Sequence, residues 1–167
     1  MEGMKWGKAR YLDASALVKL YVVEPHSDVV RAFMNAHPKP FNTTSLCFAE
    51  ALNVLKRKWL KKELTTDAYL KATHRLTVAA WGKEIELQNY GLVDPFVHND
   101  VERIVQAHNI DVSDALQLLT LLKGRHSVLV RESASVLITA DTGLATAAAA
   151  EGVRVWNCAA GPAPSWA

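Results

Sequence analysis

Apolar and polar positions change period repeatedly along the chain, with short strand-like runs followed by longer stretches at helical spacing. Arg10-Tyr11-Leu12 reads as a strand, and Ala16, Leu17, Leu20 and Tyr21 follow on one helical face. Glu24-Pro25 breaks that helix, because proline disfavours helix at the residue before it. Ser27 or His26 starts a second helix with Val29, Val30, Phe33 and Met34 on its apolar face, and His37-Pro38-Lys39-Pro40 ends it as a turn. Phe41 to Thr44 is β-prone. Ser45 is then the expected cap of a long helix from Leu46 to about Lys62, with Phe48, Leu52, Leu55 and Trp59 as its core stripe.

Leu64-Thr65-Thr66 interrupts, and Thr66 caps a helix through Tyr69, Leu70, Thr73, Leu76 and Ala80. Glu84 to Leu87 alternates polar and apolar, as a half-exposed strand near a sheet edge does. Asp94-Pro95 opens a helix with Val97, Val101, Ile104 and Val105 inward. Asp111-Val112-Ser113 starts the most apolar helix, Asp114 to Leu122, closed by Gly124. Val136 to Thr139 is a continuous apolar run, suited to a centre strand covered on both faces. An alanine-rich helix from Thr142 to Ala150 stops at Gly152, and Val153 to Trp156 is a last strand. This alternation predicts a three-layer α/β/α fold with a mainly parallel sheet. Residues 9–158 form the expected domain, 1–8 an N-terminal extension, and 159–167, with Gly161-Pro162-Ala163-Pro164, a loose tail.

At 167 residues the chain has room for one well-buried domain. The formal charge of +2 marks no nucleic-acid binder by itself, so any basic surface has to be local. Cys47 and Cys158 lack a CxxC partner, which argues against a disulfide framework or a zinc site and fits a reducing cytoplasm. Charges interrupt every apolar run before the ~18 residues that a membrane helix needs. No apolar h-region precedes Asp13, so no signal peptide is expected. The absence of GxGxxG and GxxxxGK[ST] argues against dinucleotide or P-loop nucleotide binding.

The candidate chemistry lies in four acids. Asp13 leaves the first strand, Asp141 follows Val136–Thr139, Asp114 sits in the first turn of its helix, and Glu50 is one turn inside the helix after the second strand. In a parallel sheet the carboxyl ends of the strands are where ligands bind. Each acid also has a structural explanation. Asp13 and Asp141 are good N-caps, Asp111 with Asp114 resembles a capping box, and Glu50 is explained as a solvated helix residue near Arg57. Together they make a different case, since clustered carboxylates repel and call for a cation. Hard oxygen donors select Mg²⁺ or Mn²⁺. Lys56, Arg57, Lys58, Lys61 and Lys62 form a basic run that is either a helix end favoured by the macrodipole or a contact to phosphates, and Lys19 lies within two turns of Asp13.

DASALVKLYVVEP, TTSLCFAEALNVLKRK, DVSDALQLL and ITADTGLATAAAAEGVRVW resemble, in order, the four blocks of a PIN domain, most closely the VapC-type toxin nucleases. The segment Arg125–Ser135 is longer than that resemblance leads one to expect. The resemblance implies an acidic quartet at Asp13, Glu50, Asp114 and Asp141 that binds Mg²⁺ or Mn²⁺ and hydrolyses RNA to 5′-phosphate products. It also implies a homodimer and a small protein antitoxin. Lys19, Lys58, Lys61 and Lys62 are the candidate RNA contacts. A PIN-fold RNA-binding or scaffold module without turnover is the alternative. A phosphoacceptor receiver is disfavoured, because Ala14 follows Asp13 and no lysine follows the last strand.

Overall fold

The computed structural model describes residues 8–167, so most of the expected N-terminal extension lies outside the described residues. Five parallel strands form one sheet: β1 (Arg10–Leu12), β2 (Phe41–Thr43), β3 (Ile85–Leu87), β4 (Val136–Thr139) and β5 (Arg154–Asn157), in the order β3-β2-β1-β4-β5. The helices are α1 (Ala14–Tyr21), α2 (Ser27–Ala36), α3 (Ser45–Leu60), α4 (Thr66–Trp81), α5 (Pro95–His108), α6 (Val112–Lys123) and α7 (Thr142–Ala150). The expected three-layer α/β/α fold with a parallel sheet is therefore what forms.

Strand alternation builds the layers. Leu12 and Ile138 pair across β1 and β4 and point into a core shared with Leu17, Phe33, Leu55 and Leu76 of α1 to α4. Tyr11 and Leu137, one residue back, pair on the other face and pack against Ile104, Leu118 and Leu144 of α5 to α7. β4 is buried along its whole length, as its unbroken apolar run requires. β3 lies at an edge, as its alternation indicates.

The chain leaves β1 towards β2 and β3 on one side, then crosses to β4 and β5 on the other. The boundary between β1 and β4 is thus the switch point of the sheet, where the carboxyl ends diverge and a crevice opens. Asp13 and Asp141 leave the two strands that flank it.

Several local expectations shift. The caps of α3 and α4 are Thr44 and Thr65, each one residue before the expected Ser45 and Thr66, because it is their hydroxyls that accept from Cys47 N and Ala68 N. The most buried stripe of α3 is Cys47, Ala51 and Leu55, with Phe48 and Leu52 only half-buried, so the helix is turned by about one residue from the expected face. Asp111 occupies the cap position of α6 but accepts no capping hydrogen bond, so the expected capping box does not form. The tail 159–167 is not loose. Trp156 Nε1 donates to Gly161 O at 3.0 Å, the Arg154 guanidinium lies over the Trp166 ring, and Ala167 is buried. Two indole rings give this segment enough contact area to hold it against the domain. Among the described residues no helix is long and apolar enough to cross a membrane.

Candidate active site

The site begins at the end of β1. The Leu12 carbonyl accepts from Thr43 Oγ1 of β2 at 2.7 Å and from Gln117 Nε2 of α6 at 3.1 Å. Gln117 is one turn along α6 from Asp114, so the bond that docks this helix on β1 also brings Asp114 to Asp13. Asp13 N extends the ladder by donating to Ile138 O at 3.1 Å.

Asp13 is buried with both carboxylate oxygens engaged. Oδ1 caps α1 by accepting from Ala16 N at 2.9 Å and also accepts from Ser15 Oγ at 2.8 Å. Oδ2 accepts from Thr139 Oγ1 at 2.7 Å. Thr139 Oγ1 in turn accepts from Asp141 N, and Ser15 Oγ accepts from Ala140 N. Two hydroxyls therefore stitch the ends of β1 and β4 together and set Asp141 opposite Asp13. Burial drives the Asp13 pKa up to about 6 despite these hydrogen bonds, and the charge of Asp141 adds to the rise.

Asp141 is exposed and lines the pocket while its Oδ1 accepts from Leu144 N at 2.8 Å as the cap of α7. The capping role and a site role are thus compatible in one side chain. Asp114 is half-buried on α6. Its pKa rises to about 7, first through burial and then through the charges of Asp13, Glu50, Asp141 and Asp111. Beneath them the buried Cys47 thiol is pushed up to about 12, chiefly by burial, and also by Asp13, Asp114 and Glu50.

Asp13, Glu50, Asp114 and Asp141 all line one pocket of about 230 Å³, together with Asp111, Glu24 and Lys19. The structure thus brings the whole predicted quartet together. Asp111 is an addition, read from sequence as a cap and released to the pocket because it caps nothing. Six carboxylates face one ammonium there, and that ammonium is committed: Lys19 Nζ donates to Pro25 O at 2.9 Å and pairs with Glu24 at 3.3 Å. Glu24 also takes Lys58 Nζ at 2.6 Å. Lys19 and Lys58 are therefore both held by Glu24. Lys61 and Lys62 are exposed and form no ion pair among the described residues.

The donor set suits a hard divalent cation. Every side chain able to ligate in the pocket offers oxygen, and the Asp13 and Asp114 pKa values are raised first by burial and further by the neighbouring carboxylates. Among the described residues no three ligating side chains are already gathered into a coordination set. The carboxylates surround the pocket rather than meeting in it, as mutual repulsion requires.

Ser15, Thr43, Gln117 and Thr139 have no place in the sequence reading of the site. Gln117 left a signal, as the polar residue within the most apolar helix; Thr139 left a weaker one, two residues before an acid at a strand end.

A solved structure is similar over nearly the whole chain. The fold is shared. The crystal structure of PAE2754 from Pyrobaculum aerophilum superposes with a TM-score of 0.54 at 19% identity, covering 92% of each chain. No family model and no curated protein matches the sequence.

Proposed function

We propose that this chain is a PIN-like endoribonuclease that depends on Mg²⁺ or Mn²⁺, and that it acts as the toxin of a toxin–antitoxin pair. The observation that carries the nuclease reading is the set of carboxylates from the ends of β1 and β4 and from α3 and α6, converging at the switch point of a parallel sheet with their one lysine neutralised. Asp13, Asp114 and Asp141 would hold the ion, with Glu50 completing the set or orienting the attacking water. A bound divalent ion supplies charge stabilisation at a phosphate and lowers the pKa of water. The protein's own part is positional. Thr139 and Ser15 lock Asp13 by hydrogen bonds to both of its oxygens, and the cap bond to Leu144 N uses one Asp141 oxygen and leaves the other without a capping role. The toxin role, the antitoxin and the homodimer rest on the resemblance of the four sequence blocks.

The test is cleavage of a single-stranded RNA with Mn²⁺ and with EDTA, in the wild type and in Asp141→Asn. Asparagine ranks with aspartate as a cap, so the melting temperature should hold. Cleavage should fall sharply, because a residue lining the pocket loses its charge. Normal cleavage in the folded variant would remove Asp141 from the site. RNA binding with no Mn²⁺-dependent cleavage in the wild type would leave a binding or scaffold module.

The basic end of α3 has its own readout. Lys58 is paired with Glu24 and Glu63, so of the three candidate lysines on this helix end Lys61 and Lys62 are the ones without an ion pair among the described residues. Neutralising these two should flatten the plot of log RNA affinity against log salt by about 1.4, at roughly 0.7 per phosphate contact on a single strand. An unchanged slope assigns them to the solvated helix end.

A further inference from the structure

At the opposite end of the sheet from the carboxylates, the structure holds a second pocket, of about 250 Å³. Its walls come from the end of α6, from the segment Arg125–Ser135, and from the turn into β5. Its polar lining is Arg131, Arg154, His126, Ser127 and Ser135, with no carboxylate among the lining residues. We propose that this pocket binds a small phosphate-class anion.

Three observations support it. Arg154 Nη1 is buried without a hydrogen-bond partner among the described residues. Buried polar groups are nearly always hydrogen-bonded, and the stacking of this guanidinium over the Trp166 ring supplies no acceptor for that nitrogen. Second, Arg131 and Arg154 form no ion pair among the described residues, although other arginines of the chain do. Positive charge outweighs negative here: the Lys8 pKa is lowered by burial first and then by Arg10 and Arg154, with Glu132 acting in the opposite sense. Third, the residues present are donors suited to a tetrahedral oxyanion. Guanidinium forks match phosphate oxygens, a neutral imidazole still donates one N–H, and the Ser127 hydroxyl fills a remaining direction, whereas Ser135 Oγ already donates to His126 O at 3.3 Å. Burial lowers the His126 pKa, which favours the neutral ring. Glu132, on the same segment, is exposed and outside the lining.

The site lies apart from the carboxylate pocket. Ser135 precedes β4 and Arg154 begins β5, whereas Asp141 follows β4, and a four-residue strand spans ~13 Å. It is also built on the segment that exceeds what the PIN resemblance leads one to expect, so it is a feature of this chain in its own right.

Calorimetric titration of inorganic phosphate into the full chain, with EDTA present and ionic strength held constant, tests the proposal. With metal removed, the carboxylate pocket repels phosphate and contributes no heat. Saturable binding of one phosphate per chain is expected, weakened about tenfold or more in Arg154→Gln and in Arg131→Gln, the loss of a hydrogen bond to a charged group. Arg131 is exposed, so its variant reports even if Arg154→Gln fails to fold. A parallel titration with adenosine monophosphate separates free phosphate from a phosphate monoester: tighter binding of either ligand names the occupant. No saturable binding of either, or equal affinity in the folded arginine variants, overturns the proposal and leaves the orphan nitrogen to water.

Discussion

Asp114→Asn is expected to abolish Mn²⁺ binding and lower RNA cleavage by about a hundredfold or more, while the metal-free protein stays folded and gains stability. The two halves of this outcome have one cause. Asp114 sits half-buried among four other acids, and its pKa rises to about 7 through burial and their charges. Asparagine keeps the shape and removes the charge, which relieves repulsion in the metal-free protein. The same change takes a charged donor from the cation. An ion at a phosphate is worth several kcal/mol of transition-state stabilisation, and ~1.4 kcal/mol is a factor of ten in rate. Calorimetric Mn²⁺ titration, single-turnover cleavage and a thermal melt measure the three quantities. Unchanged Mn²⁺ affinity in a folded Asp114→Asn variant rejects a shared metal site.

Asp13→Asn, by contrast, changes a carboxylate with several hydrogen bonds, so its melt reads the stitching of β1 to β4 as well as the charge. Asp114 is the cleaner probe.

Without metal, the protein should lose stability as pH rises from about 5 to about 7, and Mn²⁺ should restore it. Asp13 and Asp114 have folded pKa values of about 6 and about 7, above the ordinary 3.8 of an aspartate. Between the ordinary and the raised values the folded state binds more protons than the unfolded state. The stabilising proton is present at the acid end and is lost as pH passes the folded pKa. The drop is on the order of a few kcal/mol, since one pKa unit is worth about 1.4 kcal/mol and part of each rise is one repulsion felt by both partners. Glu151 acts in the opposite sense. Held down to about 2, first by Arg103 and then by His108, it adds stability between about 2 and its ordinary value, below this window. His126, lowered by burial, favours the folded state as pH rises, so the comparison with Asp114→Asn isolates the pocket. Denaturant melts from pH 4.5 to 8, with EDTA and with Mn²⁺, should show the largest Mn²⁺ effect above pH 7. Identical pH profiles in the wild type and Asp114→Asn would mean that the carboxylates do not share a field.

What could be read before the fold was known was what is encoded within one turn or one strand. Asp13 and Asp141 stand where a strand period gives way to a helix period, and both do cap the next helix. The apolar run of β4 announces burial on both faces, and the alternation in β3 announces an edge, because side-chain period follows directly from backbone geometry. Even there the resolution was about one residue: Thr44 and Ser45 are both able to cap, and only the hydroxyl that reaches Cys47 N decides.

The site itself depends on partners far apart in sequence, and these leave no periodic trace. Thr139 finds Asp13 across 126 residues, and Gln117 finds Leu12 across 105. The strand order that makes β1 and β4 neighbours turns separate acids into one pocket. The same long-range placement reassigned other residues. Asp111 looked like a cap but faces the acids, and Lys19 and Lys58, whose partners the sequence left open, both pair with Glu24. The tail, rich in proline and glycine, packs because Trp156 and Trp166 anchor it. Residue type and local period thus determined which groups this protein has at its strand ends. Only tertiary contact decided which of them face one another, because charge and hydrogen-bond partners are chosen by distance in space.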